Sequence, residues 1–325
     1  MSYAIQVQGL RKSFRGQEAV KGIEFEVRKG ELLALLGPNG AGKTTTIHML
    51  STLLPPDSGS AWIAGFDVVK QPKEVRARIS LTGQFAALDE GLTGLQNLRM
   101  IARLHGYPAK EAREIAGHLL ESFGLTEAGN RIVQGYSGGM RRRLDIAAGI
   151  VSRPEILFLD EPTTGLDPRS RQGVWETVRL LLAQGTTILL TTQDLEEADQ
   201  LADRIALMDQ GTMIAKGTSR ELKTWLGGKT LELILTEPAD PVLLTRLLAD
   251  SSGRSNIRSD ERLVYRIPVD NAAHAGQLVQ SLLETPIGIE SFSLKEPTLD
   301  EVFLALTRDS RDGAVTKRDS GRSPQ

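Results

Sequence analysis

The chain contains no cysteine among its 325 residues. That excludes disulfides and thiolate metal sites, and it suits a reducing compartment. Charge of one sign is missing too: 39 Lys and Arg stand against 41 Asp and Glu, a formal net charge of −2. No global field therefore draws the chain onto nucleic acid. Long apolar runs are also lacking. Met1 to Arg15 has no signal-peptide core, and charges interrupt every apolar stretch before it reaches membrane-spanning length. The expectation is a chain soluble by itself, with any membrane role exercised through a partner. Its length predicts two domains with ample material for a core.

What is present gathers in a few stretches. Glu31 to Leu36 predicts a short buried strand, and Gly37-Pro38-Asn39-Gly40-Ala41-Gly42-Lys43-Thr44-Thr45 follows it. This fits G-x-x-x-x-G-K-[ST], and Thr45 to Leu54 continues at helical spacing through Ile47, Leu50, Ser51 and Leu54. Strand, glycine loop and helix are the setting in which backbone N–H groups at a helix start form an anion site. Lys43 would place a charge between the β- and γ-phosphates of a nucleotide, and the Thr44 hydroxyl would ligate Mg²⁺. The alternative is a glycine-rich turn that fits by chance.

In chain order, Ala4 to Leu10 and Ile23 to Arg28 predict strands, the second alternating as a half-exposed antiparallel strand does. Phe14 lies between them beside a turn. An exposed ring there could stack on a purine, although core packing is the commoner fate of an isolated Phe. Pro55 to Ser60 reads as a turn cluster, and Ile79 to Leu81 as a strand leading into Gln84. From about Thr93 to Ser152 the spacing is helical, and the last helix starts after Gly135-Tyr136-Ser137-Gly138-Gly139-Met140-Arg141-Arg142-Arg143. Ile156-Leu157-Phe158-Leu159-Asp160-Glu161-Pro162 predicts a buried parallel strand delivering acids to its C-terminal edge. Asp160 is placed for a Mg²⁺ shell and Glu161 to orient or deprotonate an attacking water, unless both merely solvate a strand end. Thr187 to Thr191 is another buried strand, closing on Thr192-Gln193-Asp194. A helix follows with Leu195, Ala198, Leu201 and Ala202 on one face and Glu196, Glu197 and Asp199 outward, and a hairpin is expected around Gln210-Gly211.

After Gly227-Gly228 the pattern changes. Strands are expected at Leu231 to Leu235, Leu263 to Val269 and Ile289 to Leu294. Helix faces are expected at Leu243 to Leu248, Leu278 to Leu283 and, with a Thr298/Glu301 capping box, Leu299 to Leu306. The rest, from Arg308, is charged and poor in apolar residues, as a disordered tail would be.

Taken together, residues 3 to 218 resemble the ATP-binding cassette (ABC) family. The resemblance implies an α/β P-loop nucleotide-binding domain over 1–226, with a parallel sheet core, an antiparallel β subdomain and a helical subdomain at about 90–152. A small C-terminal α+β domain over 229–307, for dimerisation or docking, and a tail over 308–325 complete the expectation. Gly37 to Thr45 matches the Walker A loop, Ile156 to Asp160 the Walker B strand and Glu161 its catalytic acid. Ser137-Gly138-Gly139 matches the signature, Gln84 the Q-loop glutamine, Thr164 to Asp167 the D-loop and Phe14 the adenine-stacking aromatic. ATP would then be held by Phe14, Gly37, Pro38, Asn39, Gly40, Ala41, Gly42, Lys43, Thr44, Thr45, Gln84 and Asp160. Ser137, Gly138, Gly139 and Asp167 would close on it from a second copy, because cassettes of this family pack head to tail. Mg²⁺ would be held by Thr44, Gln84 and Asp160, and catalysis would rest on Glu161, Lys43 and Gln193.

Two departures stand out. Tyr136 and Met140 occupy outer signature positions where Leu and Gln are common, and Gln193 stands at the switch position where most cassettes carry histidine. The four histidines are His48, His105, His118 and His274, so no shift of register supplies one. An amide still donates a hydrogen bond but cannot become cationic. With Gln193, the signature and the C-terminal segment Pro297 to Leu304, the chain looks like the daunorubicin/doxorubicin-resistance type of ATP-binding subunit. That implies an exporter whose membrane subunit is a separate polypeptide, with this chain peripheral on the cytoplasmic side of the cell membrane. Arg141 to Arg143 then belong to the signature helix, and no nucleic-acid partner is expected. Two other readings are a soluble cassette ATPase of DNA repair or translation and a non-hydrolysing nucleotide-gated interaction protein. The first type usually carries a coiled-coil insertion or tandem cassettes, which this chain lacks.

Overall fold

A computed structural model describes residues 3–83, 88–225, 229–237, 258–261, 263–269 and 271–311. The chain divides into two units, Met1–Ser219 and Arg220–Gln325. The division falls a few residues before Gly227-Gly228, at the start of a short helix.

The first unit opens with a long hairpin, β1 (Tyr3–Phe14) and β2 (Gln17–Arg28), turning at Arg15-Gly16. β3 (Leu32–Leu36) then leads through the glycine loop into α1 (Lys43–Leu50). This helix stops four residues short of the expected Leu54: Thr52 turns left-handed, and the N–H groups of Leu53 and Leu54 both return to the His48 carbonyl. Those bonds satisfy a carbonyl that a helix end otherwise leaves open. The expected turn at Pro55 to Ser60 is shorter than its composition suggests, because β4 (Ser58–Ile63) already pairs with β1 from Ser58 onward. Gly59, at φ 84°, lies against the Gly9 backbone more closely than any side chain would allow. The glycine therefore marks a bulged strand rather than a loop. β5 (Phe66–Asp67), α2 (Pro72–Arg76) and β6 (Ile79–Thr82) follow.

Three helices form the next block, α3 (Gly94–Leu104), α4 (Ala109–Ser122) and α5 (Gly138–Gly149). Thr93 and Gln96 close a reciprocal capping box at the start of α3. The chain then alternates through β7 (Ile156–Asp160), α6 (Pro168–Ala183), β8 (Thr187–Thr192) and α7 (Leu195–Leu201) to the hairpin β9 (Arg204–Asp209) and β10 (Thr212–Gly217). The main sheet has the order β10-β9-β3-β8-β7-β6, parallel from β9 to β6; a second, antiparallel sheet has the order β2-β1-β4-β5. Residues of both sheets and of α1 share one apolar cluster, including Ile5, Phe25, Leu35, Ile47, Leu50, Phe158 and Met208. β3, β7 and β8 are buried at every position, which explains their unbroken apolar sequences. In an open parallel sheet the C-terminal strand ends carry the ligand crevice, so β3, β7 and β8 aim Gly37, Asp160 and Gln193 at one edge.

The second unit contains α8 (Ser219–Trp225), β11 (Lys229–Leu235), β12 (Arg258–Glu261), β13 (Val264–Val269), α9 (Ala272–Leu283), β14 (Ile289–Lys295) and α10 (Leu299–Arg311). Its antiparallel sheet has the order β12-β13-β11-β14, and Leu231, Leu233, Ile267, Leu278 and Leu282 lie in its core. The expected capping box is formed, with Thr298 and Glu301 bonded reciprocally. α10 continues to Arg311, past the expected end of ordered structure near residue 307. Once a capped first turn exists, each added residue costs little, so a helix outruns its apolar face. The helix expected at Leu243 to Leu248 and residues 312–325 of the expected tail lie outside the described residues. Among the described residues, no helix is long and apolar enough to cross a membrane.

Candidate functional site

The glycine loop is held from three sides. Gly37 N–H donates to the Thr192 carbonyl at 3.2 Å, Gly211 N–H donates to the Ala41 carbonyl at 3.1 Å, and Gly42 caps α1 at φ 100°. A side chain on Gly42 would strike the Ala19 carbonyl, so position and conformation both demand glycine. Pro38, Asn39 and Gly40 remain exposed at the mouth of the loop.

Lys43 points back into this loop. Its Nζ donates to the Gly37 carbonyl at 2.8 Å and the Pro38 carbonyl at 3.0 Å, and lies 3.4 Å from Glu161 Oε1. Both side chains of that ion pair are buried. Beside it, the Thr44 hydroxyl donates to Asp160 Oδ1 at 3.1 Å, and the Thr191 hydroxyl bonds the same carboxylate oxygen. Glu161 is a non-glycine residue at φ 46°, a conformation that costs on the order of 1–3 kcal/mol and persists only where its surroundings over-determine it. Here Glu161 N–H meets both the carbonyl and the hydroxyl of Thr191, at 3.0 and 3.1 Å. The Thr164 hydroxyl meets Glu161 Oε2 at 3.2 Å.

Of the residues singled out in the sequence, the fold brings Lys43, Thr44, Asp160 and Glu161 into contact. Gln193 is exposed directly after Thr192, whose carbonyl holds Gly37; Asp194 beyond it caps α7 and pairs with Arg171 at 2.5 Å. Phe14 is 47% exposed and lines a cleft of about 440 Å³ with Gln17, Ala19, Lys21, Gly40 and Gln210. Gln84 lies outside the described residues.

Ser137, Gly138, Gly139 and Asp167 sit at two neighbouring helix starts. The Ser137 hydroxyl caps α5, accepting from Met140 N–H at 3.3 Å, while Ser137 and Gly138 stay exposed. A Cβ on Gly139 would sit 2.6 Å from Ser170 Cβ, so that glycine is also demanded by the approach of α5 to α6. Asp167 caps α6, and its bonds from Ser170 hold its carboxyl below the usual carboxylate range. Tyr136 has a structural reason at its unusual signature position: it is buried, with its hydroxyl donating to the Ala128 carbonyl at 2.7 Å inside the helical block.

Two residues escaped the sequence reading, and a third is buried where an outward position was expected. Thr191 is a hydroxyl inside an apolar strand, the one available clue. Arg142 was read only as part of a basic run, yet that run diverges: Arg141 bonds Glu90, Arg143 bonds the Phe123 carbonyl, and Arg142 turns inward. Glu197, expected on the outward face of α7, is instead fully buried, accepting from the Thr163 hydroxyl at 2.7 Å and Trp175 Nε1 at 3.2 Å, and burial pushes its carboxyl up.

A buried lysine–glutamate pair on a glycine loop, next to a threonine–aspartate pair, defines a P-loop nucleotide triphosphatase site. Comparison with known families narrows the class. Residues 20–164 match the ABC transporter family, and residues 217–307 match the C-terminal domain of DrrA1-3-like ATP-binding proteins. The chain is 51% identical to the daunorubicin/doxorubicin resistance ATP-binding protein DrrA of Streptomyces peucetius over 97% of its own length and 95% of that protein. It is 46% identical to the doxorubicin resistance ATP-binding protein DrrA of Mycobacterium tuberculosis, over 94% of each chain. Among solved structures it is similar to cbiO1 of Clostridium perfringens, part of the ABC transporter complex cbiONQ, with TM-score 0.64 and 27% identity over 68% of this chain and 91% of that one. The chain belongs to the ATP-binding proteins of ABC transporters, and it is an ABC-type ATPase.

Proposed function

We propose that this chain powers export of a drug-like or hydrophobic compound through a separate polytopic membrane subunit, as a peripheral protein on the cytoplasmic face of the cell membrane. The observation that carries the reading is the buried Lys43–Glu161 pair at 3.4 Å, set beside Thr44–Asp160 at 3.1 Å. Relatives named for daunorubicin, doxorubicin and linearmycin resistance support the export of such compounds, and they leave the DNA-repair or translation reading without support.

In this reading ATP lies on the Gly37–Thr45 loop with its adenine against Phe14. Lys43 exchanges its carbonyl partners for phosphate oxygens, and Glu161, released from Lys43, orients and deprotonates water. The donor set fits Mg²⁺: the Thr44 hydroxyl and Asp160 carboxylate are hard oxygens, and no cluster of three or more His, Cys, Asp or Glu that could hold a metal occurs among the described residues. Such a site suits an ion that takes its remaining ligands from phosphate and water, and that neutralises charge developing on the phosphate oxygens. Gln84 is the further proposed ligand. The exposed Ser137 hydroxyl and the N–H groups of Gly138 and Gly139 would close on the γ-phosphate from a second copy, with Asp167 beside them. Closure and reopening of the pair would drive the membrane subunit, and the C-terminal α+β domain would serve dimerisation or docking.

The direct test is co-purification from membranes with a polytopic partner that raises ATP turnover. A protein found only on ribosomes or DNA would overturn the export reading, and phosphate release no higher than that of Lys43→Ala with the partner present would overturn hydrolysis as its source of power. Phe14→Ala is expected to weaken ATP binding by about tenfold without altering turnover at saturation, as loss of one aromatic stack predicts. Equal affinities in an equilibrium titration would remove Phe14 from the site. Gln193→His should keep ATP affinity while changing turnover and giving it a pH dependence between about 6 and 7. A flat profile identical to wild type would show that residue 193 does not reach the γ-phosphate.

A further inference from the structure

Arg142 stands three residues after Gly139, one turn into α5, with its side chain largely covered and 11% exposed. Its guanidinium donates through Nε to the Pro162 carbonyl at 2.9 Å and through Nη2 to the Asp160 carbonyl at 3.3 Å. Nη1 donates to the Gly83 carbonyl at 2.6 Å and to Asp145 Oδ2 at 3.3 Å. The first two carbonyls flank Glu161, the residue held in the left-handed conformation, and the third immediately precedes Gln84. Thr191 grips the Glu161 N–H from the opposite side. A largely covered guanidinium is costly to desolvate unless its donors are met, and here two of its bonds go to the main-chain oxygens on either side of one residue rather than all to a second charge.

We propose that Arg142 is a positioning residue for hydrolysis that acts within its own chain, fixing the backbone on both sides of Glu161 and so the aim of its carboxylate. Arginine is required because several directional bonds leave one planar group; a lysine at this place keeps the charge beside Asp145 but loses the fork. The proposal rests on the two-copy reading at one point. α5 also carries Ser137 to Gly139, which in that reading touch the nucleotide of the second copy, so an effect of Arg142 transmitted through the signature would appear in the other chain's site.

Arg142→Lys in the full chain with its membrane partner is expected to lower kcat about 10- to 100-fold, with KM for ATP and the melting temperature nearly unchanged. An unchanged kcat, or a parallel loss of ATP binding and thermal stability, overturns the proposal. Mixed dimers of differently tagged copies then locate the effect. Pairing a Lys43→Ala copy with a Ser137→Arg copy leaves one complete site, built from Lys43 and Glu161 of the second and the signature of the first. Arg142→Lys should reproduce the drop only when placed in the second copy. A drop arising from the first copy, from both alike or from neither overturns action within the chain. If the parent mixed dimer is inactive while the wild type turns over ATP, the head-to-tail reading fails instead, and the kcat-against-KM split still decides the role of Arg142.

Discussion

Glu161→Gln is expected to bind ATP about as well as the wild type, to turn it over at least about 10²-fold more slowly, and to accumulate as a closed dimer. The magnitude follows from losing a general base, which contributes on the order of 10²–10⁴ in rate. The amide is isosteric, so Thr164 and the Thr191 grip on the backbone are retained, and only the proton-accepting charge 3.4 Å from Lys43 disappears. With that negative charge gone, less repulsion opposes a γ-phosphate on Lys43, and the bound state persists. Size-exclusion chromatography with ATP, beside a phosphate-release assay, reads both effects. Turnover near wild type would move the catalytic role to another acid.

Lys43→Ala should behave differently, losing affinity and turnover together. Removing a charge-assisted phosphate contact costs about 1.5–3 kcal/mol, or roughly 10- to 150-fold in ATP affinity. The substitution also strips Glu161 of the cation it faces in a buried pair, so the acid loses its alignment as well. Nucleotide titration and single-turnover hydrolysis on the same preparation separate this outcome from that of Glu161→Gln. Retained hydrolysis at saturating ATP would mean that Lys43 only binds nucleotide.

The contrast between these residues and their supports shows what was legible in advance. Gly37 to Thr45 and Ile156 to Glu161 are contiguous, and their chemistry is written in residue type and spacing, so the loop, the buried strand and the paired acids could be read directly. Ser58-Gly59-Ser60 could not: a glycine between serines reads as a turn, and only the Gly9 backbone lying against it makes that segment a strand. Tyr136 likewise looks like a departure from a motif until it is seen filling the helical block.

By itself, then, the order of residues determined that this chain carries a glycine-rich phosphate loop and an apolar strand ending in two acids, because each is a local pattern of backbone and side-chain chemistry. The signature segment was legible only by resemblance to a family. Only the tertiary structure decided what holds Glu161, the proposed catalytic acid, in place. Thr191 reaches Glu161 from 30 residues away, and Arg142 reaches Pro162 from 20. Those bonds depend on β7 lying beside β8 in one register and on α5 approaching the end of β7, and neither leaves a periodic trace in sequence. Arg142 therefore reads as one member of a basic run until the sheet places the Asp160 and Pro162 carbonyls in front of it.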